Sequence, residues 1–151
     1  MAPEKDFYHL ENEIKYIFND SRLLTVALTH SSYCNENRKR GFDVSNERSE
    51  FLGDSILSLI TAEFLFSRFP DTDEGFLTRT RAALVCEDTL YQFANKLSLG
   101  DYMLFGKGEA AASGGRHRKS TLSDAFEALI AAIYLDGGIE KAKQFVLPFI
   151  S

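Results

Sequence analysis

The 151-residue sequence lacks the features of exported and membrane-spanning proteins. No run of about 18 apolar residues could cross a bilayer, and the N-terminus MAPEKDFYHLENEIKYIF has acidic residues where a secretory signal needs an apolar stretch. The two cysteines, Cys34 and Cys86, are far apart and outside any C-x-x-C spacing, so neither a zinc site nor a disulfide framework is indicated. We therefore expect a soluble cytoplasmic protein with no membrane partner and with buried, structural cysteines.

Positive charge and strand patterns are also scarce. A formal net charge of -5 excludes the positive sheath of an indiscriminate nucleic-acid binder, although it leaves room for local basic patches. Alternating apolar and polar residues and Asn-Gly hairpin signals are missing, whereas apolar residues recur at helical spacing almost throughout. With 44% hydrophobic residues, a chain of this length can bury the core of one domain. The sequence predicts a single all-α domain.

Helix punctuation divides the chain into seven predicted helices. Pro70 follows the longest one, Thr72 or Asp73 can cap the next, and Gly137-Gly138 separates the last two. The predicted helices are 7–18, 21–31, 46–69, 76–85, 87–98, 121–136 and 138–149. Two loops, 34–45 and 106–120, lie between them. The second loop is glycine-rich but lacks the G-x-x-x-x-G-K-[ST] pattern, so no nucleotide cofactor is predicted.

Three carboxylates share one side of the helix predicted over 46–69. Glu47, Glu50 and Asp54 fall within a sector of about 60°, with no lysine four residues on. Like charges at this spacing repel and lower helix stability by a few tenths of a kcal/mol. The predicted core stripe consists of Leu52, Ile56, Leu59 and Ile60, with Gly53 and Leu57 beside it. For this helix alone, a solvated acidic face is the simplest interpretation.

The helix predicted over 121–136 adds a second acidic pair, Asp124 and Glu127, in a less watery context. Small residues share their arc, and the opposite arc is bulky (Leu122, Phe126, Leu129, Ile130 and Ile133). This pattern predicts a helix covered on both faces, where carboxylates are costly to desolvate unless a positive group meets them. Four carboxylates without His or Cys nearby in sequence suit Mg²⁺ or Mn²⁺ rather than zinc. Such sites usually perform phosphate chemistry.

Four blocks in order resemble the ribonuclease III family. They are ALTHSSY at 27–33, NERSEFLGDSIL at 46–57, FPDTDEGFLTRTRAALV at 69–85 and TLSDAFEALIAAIYLDGG at 121–138. The resemblance implies an all-helical endonuclease domain that acts as a homodimer on double-stranded RNA with Mg²⁺; the carboxylate donors would also accept Mn²⁺ in its place. It also implies hydrolysis by water to 5′-phosphate and 3′-hydroxyl ends, in the processing of ribosomal, messenger and other RNA precursors.

The resemblance also implies roles for individual residues. The implied catalytic metal ligands are Glu50, Asp54, Asp124 and Glu127. Glu47 and Glu74 match further acidic positions at or near the site. For Glu74, an alternative is a favourable interaction with the helix dipole in the first turn after an Asp73 cap. Ser49 stands where family members usually have Leu, which leaves the ligands intact but affects local packing.

Bacterial members of the family typically continue into a double-stranded-RNA-binding domain, whereas this sequence stops at Ser151 within the apolar run QFVLPFIS. The alternatives are a truncation and a relative that consists of the catalytic domain alone. The short relatives differ around the first carboxylates, so we expect a truncation, with residues 1–151 forming the catalytic domain.

Basic clusters precede both carboxylate helices and predict RNA contacts. They comprise Arg38, Lys39 and Arg40, and then Arg116, Arg118 and Lys119. Contacts of this kind position a phosphate backbone without reading its sequence. The alternative is two solvated loops. His30 has no metal-spaced partner, and we interpret it as a structural hydrogen-bonding residue.

Phe51 lies about 100° around the helix from Glu50, outside the predicted core stripe. Exposed aromatic residues often anchor interfaces. The resemblance implies that Phe51 inserts into a pocket of a second subunit, and burial under the 34–45 loop is the alternative.

Two competing functions remain at this point. A non-catalytic RNA-binding or ribosome-associated protein could keep the fold, but it would be expected to lack one of the four carboxylates. A helical dimerisation module would bind no metal.

Overall fold

The computed structural model describes residues 7–41, 43–112 and 114–151. Its α-helices are α1 (Tyr8–Ile14), α2 (Ser21–Ala27), α3 (Ser31–Asn37), α4 (Glu47–Arg68), α5 (Glu74–Val85), α6 (Glu87–Lys96), α7 (Leu99–Tyr102), α8 (Lys107–Ala111), α9 (Lys119–Gly137) and α10 (Ile139–Ile150). Two 3₁₀ helices cover Arg38–Arg40 and Gly115–His117. Within these ranges, β structure is limited to one isolated bridge between Thr29 and Leu104. The all-α prediction is confirmed.

Helix α9 forms the centre of the molecule. Every residue from 121 to 133 except Asp124 is buried, and the helix packs against α2, α4, α6 and α10. Four aromatic rings pack together in tilted and edge-on contacts where α6, α9 and α10 meet: Phe93, Phe126, Phe145 and Phe149. The prediction that this helix is covered on both faces is confirmed.

Helices α4 and α9 approach closely at Gly53. A Cβ atom there would overlap the carbonyl oxygen of Glu127, so only glycine permits this separation of the two backbones. The predicted core stripe was wrong at Leu59, which is 57% exposed, while Leu57 is fully buried. The reason is that α4 contacts α9 at Gly53, so the buried face of α4 is the one that contains Gly53, Ile56, Leu57 and Ile60.

The segments predicted as loops contain short helices. The 34–45 loop includes the end of α3 and a 3₁₀ turn, and the 106–120 loop includes α8 and another 3₁₀ turn; residues 42 and 113 of these loops lie outside the described part. Helix α3 was missed because its cap is the ring of His30, whose Nδ1 accepts from the Ser32 amide (3.1 Å), rather than a usual Ser, Thr, Asp or Asn. The structural interpretation of His30 is thereby confirmed.

The α5 cap, the two cysteines and the lengths of the helices test three further predictions. Asp73, rather than Thr72, caps α5 by accepting from the amide of Phe76 (2.8 Å), so this helix begins two residues earlier than predicted. Both cysteines are free thiols; Cys34 is buried as predicted, but Cys86 is exposed because it lies at the junction of α5 and α6. Among the described residues, none of the helices has the length and apolar character needed to cross a bilayer.

Candidate functional site

A cluster of carboxylates lies where α4 crosses α9. Ligand atoms of Glu50, Asp124 and Glu127 all lie within 4.8 Å of one another. Glu50 comes from the first turn of α4, whereas Asp124 and Glu127 are one turn apart on α9. The close approach at Gly53 brings the two helices near enough for their acidic side chains to meet.

Asp54 completes the set of four predicted carboxylates. The carboxyl group of Asp54 acts on Glu127, and that of Asp124 acts on Glu50, and each neighbour raises the pKa of the glutamate. The carboxylates of α4 and α9 therefore interact across the crossing of the two helices.

Burial and mutual repulsion raise the proton affinity of this cluster. Glu127 is only 8% exposed, and desolvation, followed by the hydrogen bond and charge of Asp54, raises its pKa to about 9. Burial and the neighbouring charge of Asp124 raise the pKa of Glu50 to about 7. Burial also raises the pKa of Asp124. In the absence of a cation, the cluster therefore retains protons at neutral pH.

These residues fit a hard divalent cation. Their ligand atoms are all carboxylate oxygens, the donor type that Mg²⁺ and Mn²⁺ prefer. The ion pairs of the described residues lie elsewhere and leave this negative charge without a lysine or arginine partner. A divalent ion would replace the retained protons and remove the repulsion that raises these pKa values.

Comparison with known proteins identifies the family. A family model described as Ribonuclease-III-like matches residues 20–151. This chain belongs to the ribonuclease III family. It is similar to Ribonuclease 3 of Caldanaerobacter subterraneus subsp. tengcongensis (50% identity over 92% of this chain and 60% of the relative) and of Symbiobacterium thermophilum (53% over 87% and 54%). The chain thus spans somewhat more than half the length of these curated relatives.

A solved structure extends the comparison to the fold. The nuclease domain of ribonuclease III from Campylobacter jejuni is 43% identical, with a TM-score of 0.88 and coverage of 96% of both chains. Its description refers to a region involved in dimer formation of that nuclease domain. The all-helical nuclease-domain fold of the ribonuclease III family is therefore the fold of this chain.

The two supporting acidic residues occupy different surroundings. Glu47 lies in the first turn of α4, and its charge contributes to the raised pKa of Glu50. Glu47 therefore lies at the edge of the carboxylate cluster. Glu74 lies in the first turn of α5 and accepts a hydrogen bond from the hydroxyl of Thr78 (3.0 Å). The cap formed by Asp73 supports the helix-dipole interpretation of Glu74. Its role in the site stays a prediction.

Sequence reasoning missed two groups beside the cluster. The charge of Glu87, in the first turn of α6, raises the pKa of Asp124, and His30 lowers it, although burial is the largest influence. Neither residue is at helical spacing from the four carboxylates, because both come from other elements. Only the packing of α6 and of the 28–32 segment around α9 brings them to Asp124, so no local signal could have identified them.

The predicted RNA-binding cations differ in availability. Arg38, Lys39 and Arg40 are exposed on a 3₁₀ turn. Arg116, in contrast, donates to the carbonyl groups of Gly100 (3.0 Å) and Met103 (2.8 Å) and lies over the ring of Phe105. This guanidinium joins the 3₁₀ turn Gly115–His117 to residues 100–103, a structural role that the sequence did not indicate.

Two cations before Asp124 form ion pairs. Arg118 pairs with Glu109 (3.3 Å), and Lys119 pairs with Asp88 (2.5 Å). Lys119 also lies 5.7 Å from the ring centroid of Tyr91. These pairs join the start of α9 to α8 and to α6.

Phe51 belongs to a longer apolar strip on α4. Phe51 is 79% exposed, so burial under the 34–45 segment was not found among the described residues. Leu59 (57%) and Phe66 (73%) are also exposed and fall within about 80° of Phe51 around the helix. We call these three residues the α4 strip. It extends over about 22 Å along the helix axis.

Proposed function

We propose that this chain is a ribonuclease III endonuclease domain that hydrolyses both strands of double-stranded RNA, leaving 5′-phosphate and 3′-hydroxyl ends. The observation that carries the proposal is the cluster of Glu50, Asp124 and the buried Glu127 with Asp54 beside it, which forms no ion pair with a lysine or arginine among the described residues. Precursors of ribosomal and other RNAs are the proposed substrates, and the cytoplasm is the proposed location.

The four carboxylates are proposed to hold Mg²⁺, or Mn²⁺ in its place. A bound divalent ion lowers the pKa of its water ligand and stabilises negative charge on the leaving oxygen. The protein's contribution is positional, since Glu50 and Asp54 are fixed by α4 and Asp124 and Glu127 by the buried helix α9. The raised pKa of Glu127 means that its proton must leave before the carboxylate binds a cation. Glu47, at the border of the cluster, and Glu74 are proposed as supporting acidic residues.

The exposed cations are proposed to hold the RNA backbone. Arg38, Lys39 and Arg40 precede α4, and Arg118 and Lys119 precede the acidic pair of α9. Both groups are therefore close in sequence to the helices that carry the carboxylates. Phosphate contacts by such side chains would position a duplex without selecting its sequence.

A homodimer is proposed to bring two such sites to one duplex. The α4 strip exposes two phenylalanines and a leucine to solvent. This composition is typical of the centre of a protein–protein interface rather than of a surface that stays in contact with water. The Campylobacter jejuni relative has a region involved in dimer formation, which supports the same assembly here. Phe51 is the proposed anchor.

The deciding experiment incubates the purified protein with a long RNA duplex, with and without Mg²⁺. Glu127→Gln keeps the shape of the side chain but removes its charge, so we expect it to abolish cleavage while the fold and duplex binding persist. Glu63→Gln is the matched control, because Glu63 also lies on α4, where its exposed side chain pairs with Lys143. Near-normal cleavage by Glu127→Gln at ordinary Mg²⁺ concentrations would refute the site assignment.

Metal titration distinguishes the proposed nuclease from a dimerisation module. We expect calorimetric titration with Mg²⁺ or Mn²⁺ to detect binding by the wild-type protein and weaker binding by Glu127→Gln. Binding should release protons, because the pKa values of Glu50 and Glu127 are raised. The absence of any metal binding would favour the dimerisation module.

A further inference from the structure

The cations at the start of α9 already face carboxylates of this chain. Lys119 Nζ lies 2.5 Å from Asp88 Oδ1, and the two side chains are 50% and 70% exposed. Arg118 Nη1 lies 3.3 Å from Glu109 Oε1. Each pair joins different elements, so its formation depends on the fold rather than on neighbouring positions in one helix.

The Lys119 pair is connected to the carboxylate cluster through Glu87. Lys119 precedes Asp124 by five residues on the same helix, which corresponds to about 7.5 Å along the axis and about 140° around it. The charge of Glu87, the residue before Asp88, acts on both Lys119 and Asp124. A phosphate group held by Lys119 would therefore lie between one and two helix turns from the proposed metal ligands along α9.

We propose that Asp88 and Glu109 compete with RNA phosphate groups for Lys119 and Arg118. The inference rests on the proposed function, and it assigns these two acidic residues a role in setting RNA affinity. A carboxylate and a phosphate oxygen offer the same kind of acceptor to an ammonium or guanidinium group. In the free protein the carboxylate takes this position, and in the complex a phosphate replaces it.

The exchange requires weak pairs. The Lys119–Asp88 pair is exposed on both sides, whereas Glu109 of the second pair is only 21% exposed. Exposed ion pairs contribute little to stability because water screens them. For the Lys119 pair, competition of this strength lowers the fraction of Lys119 side chains available to RNA by about two- to sixfold. A duplex that contacts many cations at once can overcome this reduction, whereas a single phosphate group gains too little to do so.

The test is a double-mutant cycle on duplex affinity, measured without divalent metal so that no cleavage occurs. We expect Asp88→Asn to bind duplex RNA about two- to sixfold more tightly than wild type. In a Lys119→Ala background, the same Asp88→Asn change should produce a clearly smaller gain, because the competition acts through Lys119. Glu109→Gln and Arg118→Ala form a second, independent cycle.

The control separates the local effect from the loss of charge. Glu63→Gln removes one exposed negative charge and one ion pair of similar length (2.6 Å), formed with a half-buried lysine on the α4–α10 side of the molecule. It should leave affinity near the wild-type value. Equal gains from Asp88→Asn with and without Lys119, or no gain in either cycle, would overturn the inference while duplex binding by the wild type remained. A wild-type protein that binds no duplex would overturn the proposed function and this inference together.

Discussion

Replacing Gly53 by alanine tests the crossing on which the candidate site depends. A Cβ atom at this position would lie 2.5 Å from the carbonyl carbon of Glu127 and 3.2 Å from its Cα. Normal carbon contacts are about 3.5–4.0 Å, and the carbonyl oxygen of Glu127 is nearer still, so α4 and α9 must move apart by more than about 1 Å. Both colliding groups are backbone, and no change of rotamer can relieve the overlap.

The expected loss of stability follows from two opposing effects. Overpacking in a core costs about 1–3 kcal/mol, and the backbone collision places Gly53→Ala at the upper end of that range. Alanine in place of glycine inside a helix returns at most about 1 kcal/mol. We therefore expect a net destabilisation of about 2 kcal/mol, which lowers the melting temperature by roughly 4–8 °C for a chain of this size.

The matched control is Gly108→Ala in α8, where an added Cβ atom has no neighbour within 4 Å. This variant should be as stable as wild type or slightly more stable, by up to about 1 kcal/mol. Thermal unfolding followed by circular dichroism measures both variants. Because Glu127 lies at the crossing, metal affinity should fall in Gly53→Ala alone. A Gly53→Ala protein that melts at or above the wild-type temperature would refute the close approach of the two helices.

Three further predictions concern charge, assembly and RNA binding. The pKa of Glu127 is raised from 4.5 to about 9, so the folded state holds its proton more tightly and metal-free stability should fall as pH rises through this interval. Chemical denaturation of the metal-free proteins measures this. From neutral pH to pH 9 the free energy of unfolding should fall less in Glu127→Gln than in wild type, by an amount on the order of a few kcal/mol. Identical pH profiles for the two proteins would contradict the raised pKa of Glu127. Phe51→Asp should shift a micromolar dimer toward monomer and reduce duplex cleavage, because loss of an interface anchor costs about 2 kcal/mol or more per ring; sedimentation showing an unchanged dimer would exclude Phe51 as anchor. Replacing residues 38–40 by alanine should weaken RNA binding and reduce its salt dependence, since fewer counterions are released, and an unchanged salt slope would return this turn to the solvated interpretation.

The sequence predicted the positions of the long helices and of the carboxylates because both follow from local periodicity. The acidic residues of 46–69 and 121–136 were identified from spacing within single helices, and the structure brings Glu50, Asp124 and Glu127 together. The two-sided burial of α9 was also visible, since alanines share the arc of Asp124 and Glu127 while bulky residues fill the other arc. Patterns within one helix are sufficient for conclusions of this kind.

Features that depend on contacts between elements were not predictable in the same way. Leu59 fits the apolar periodicity of α4 but is exposed, because the crossing at Gly53 determines which face is buried. Arg116 lies in a basic cluster of the kind that contacts RNA, yet its guanidinium binds two carbonyl groups 13 and 16 residues earlier in the chain. Glu87 approaches Asp124 only through the packing of α6 on α9. No property of the separate segments specifies these arrangements.

The burial of α9 has a consequence for how the site can lose its shape. Asp124 and Glu127 lie within the buried stretch 121–133 of α9. Local unfolding of a surface loop would therefore not expose the backbone amides of this stretch to solvent. Amide hydrogens in this part of α9 should exchange with deuterium only when the whole domain opens, at the slowest rate in the molecule. A divalent ion that binds only the folded state would stabilise the whole domain against opening. It would therefore slow exchange throughout the core rather than at the cluster alone.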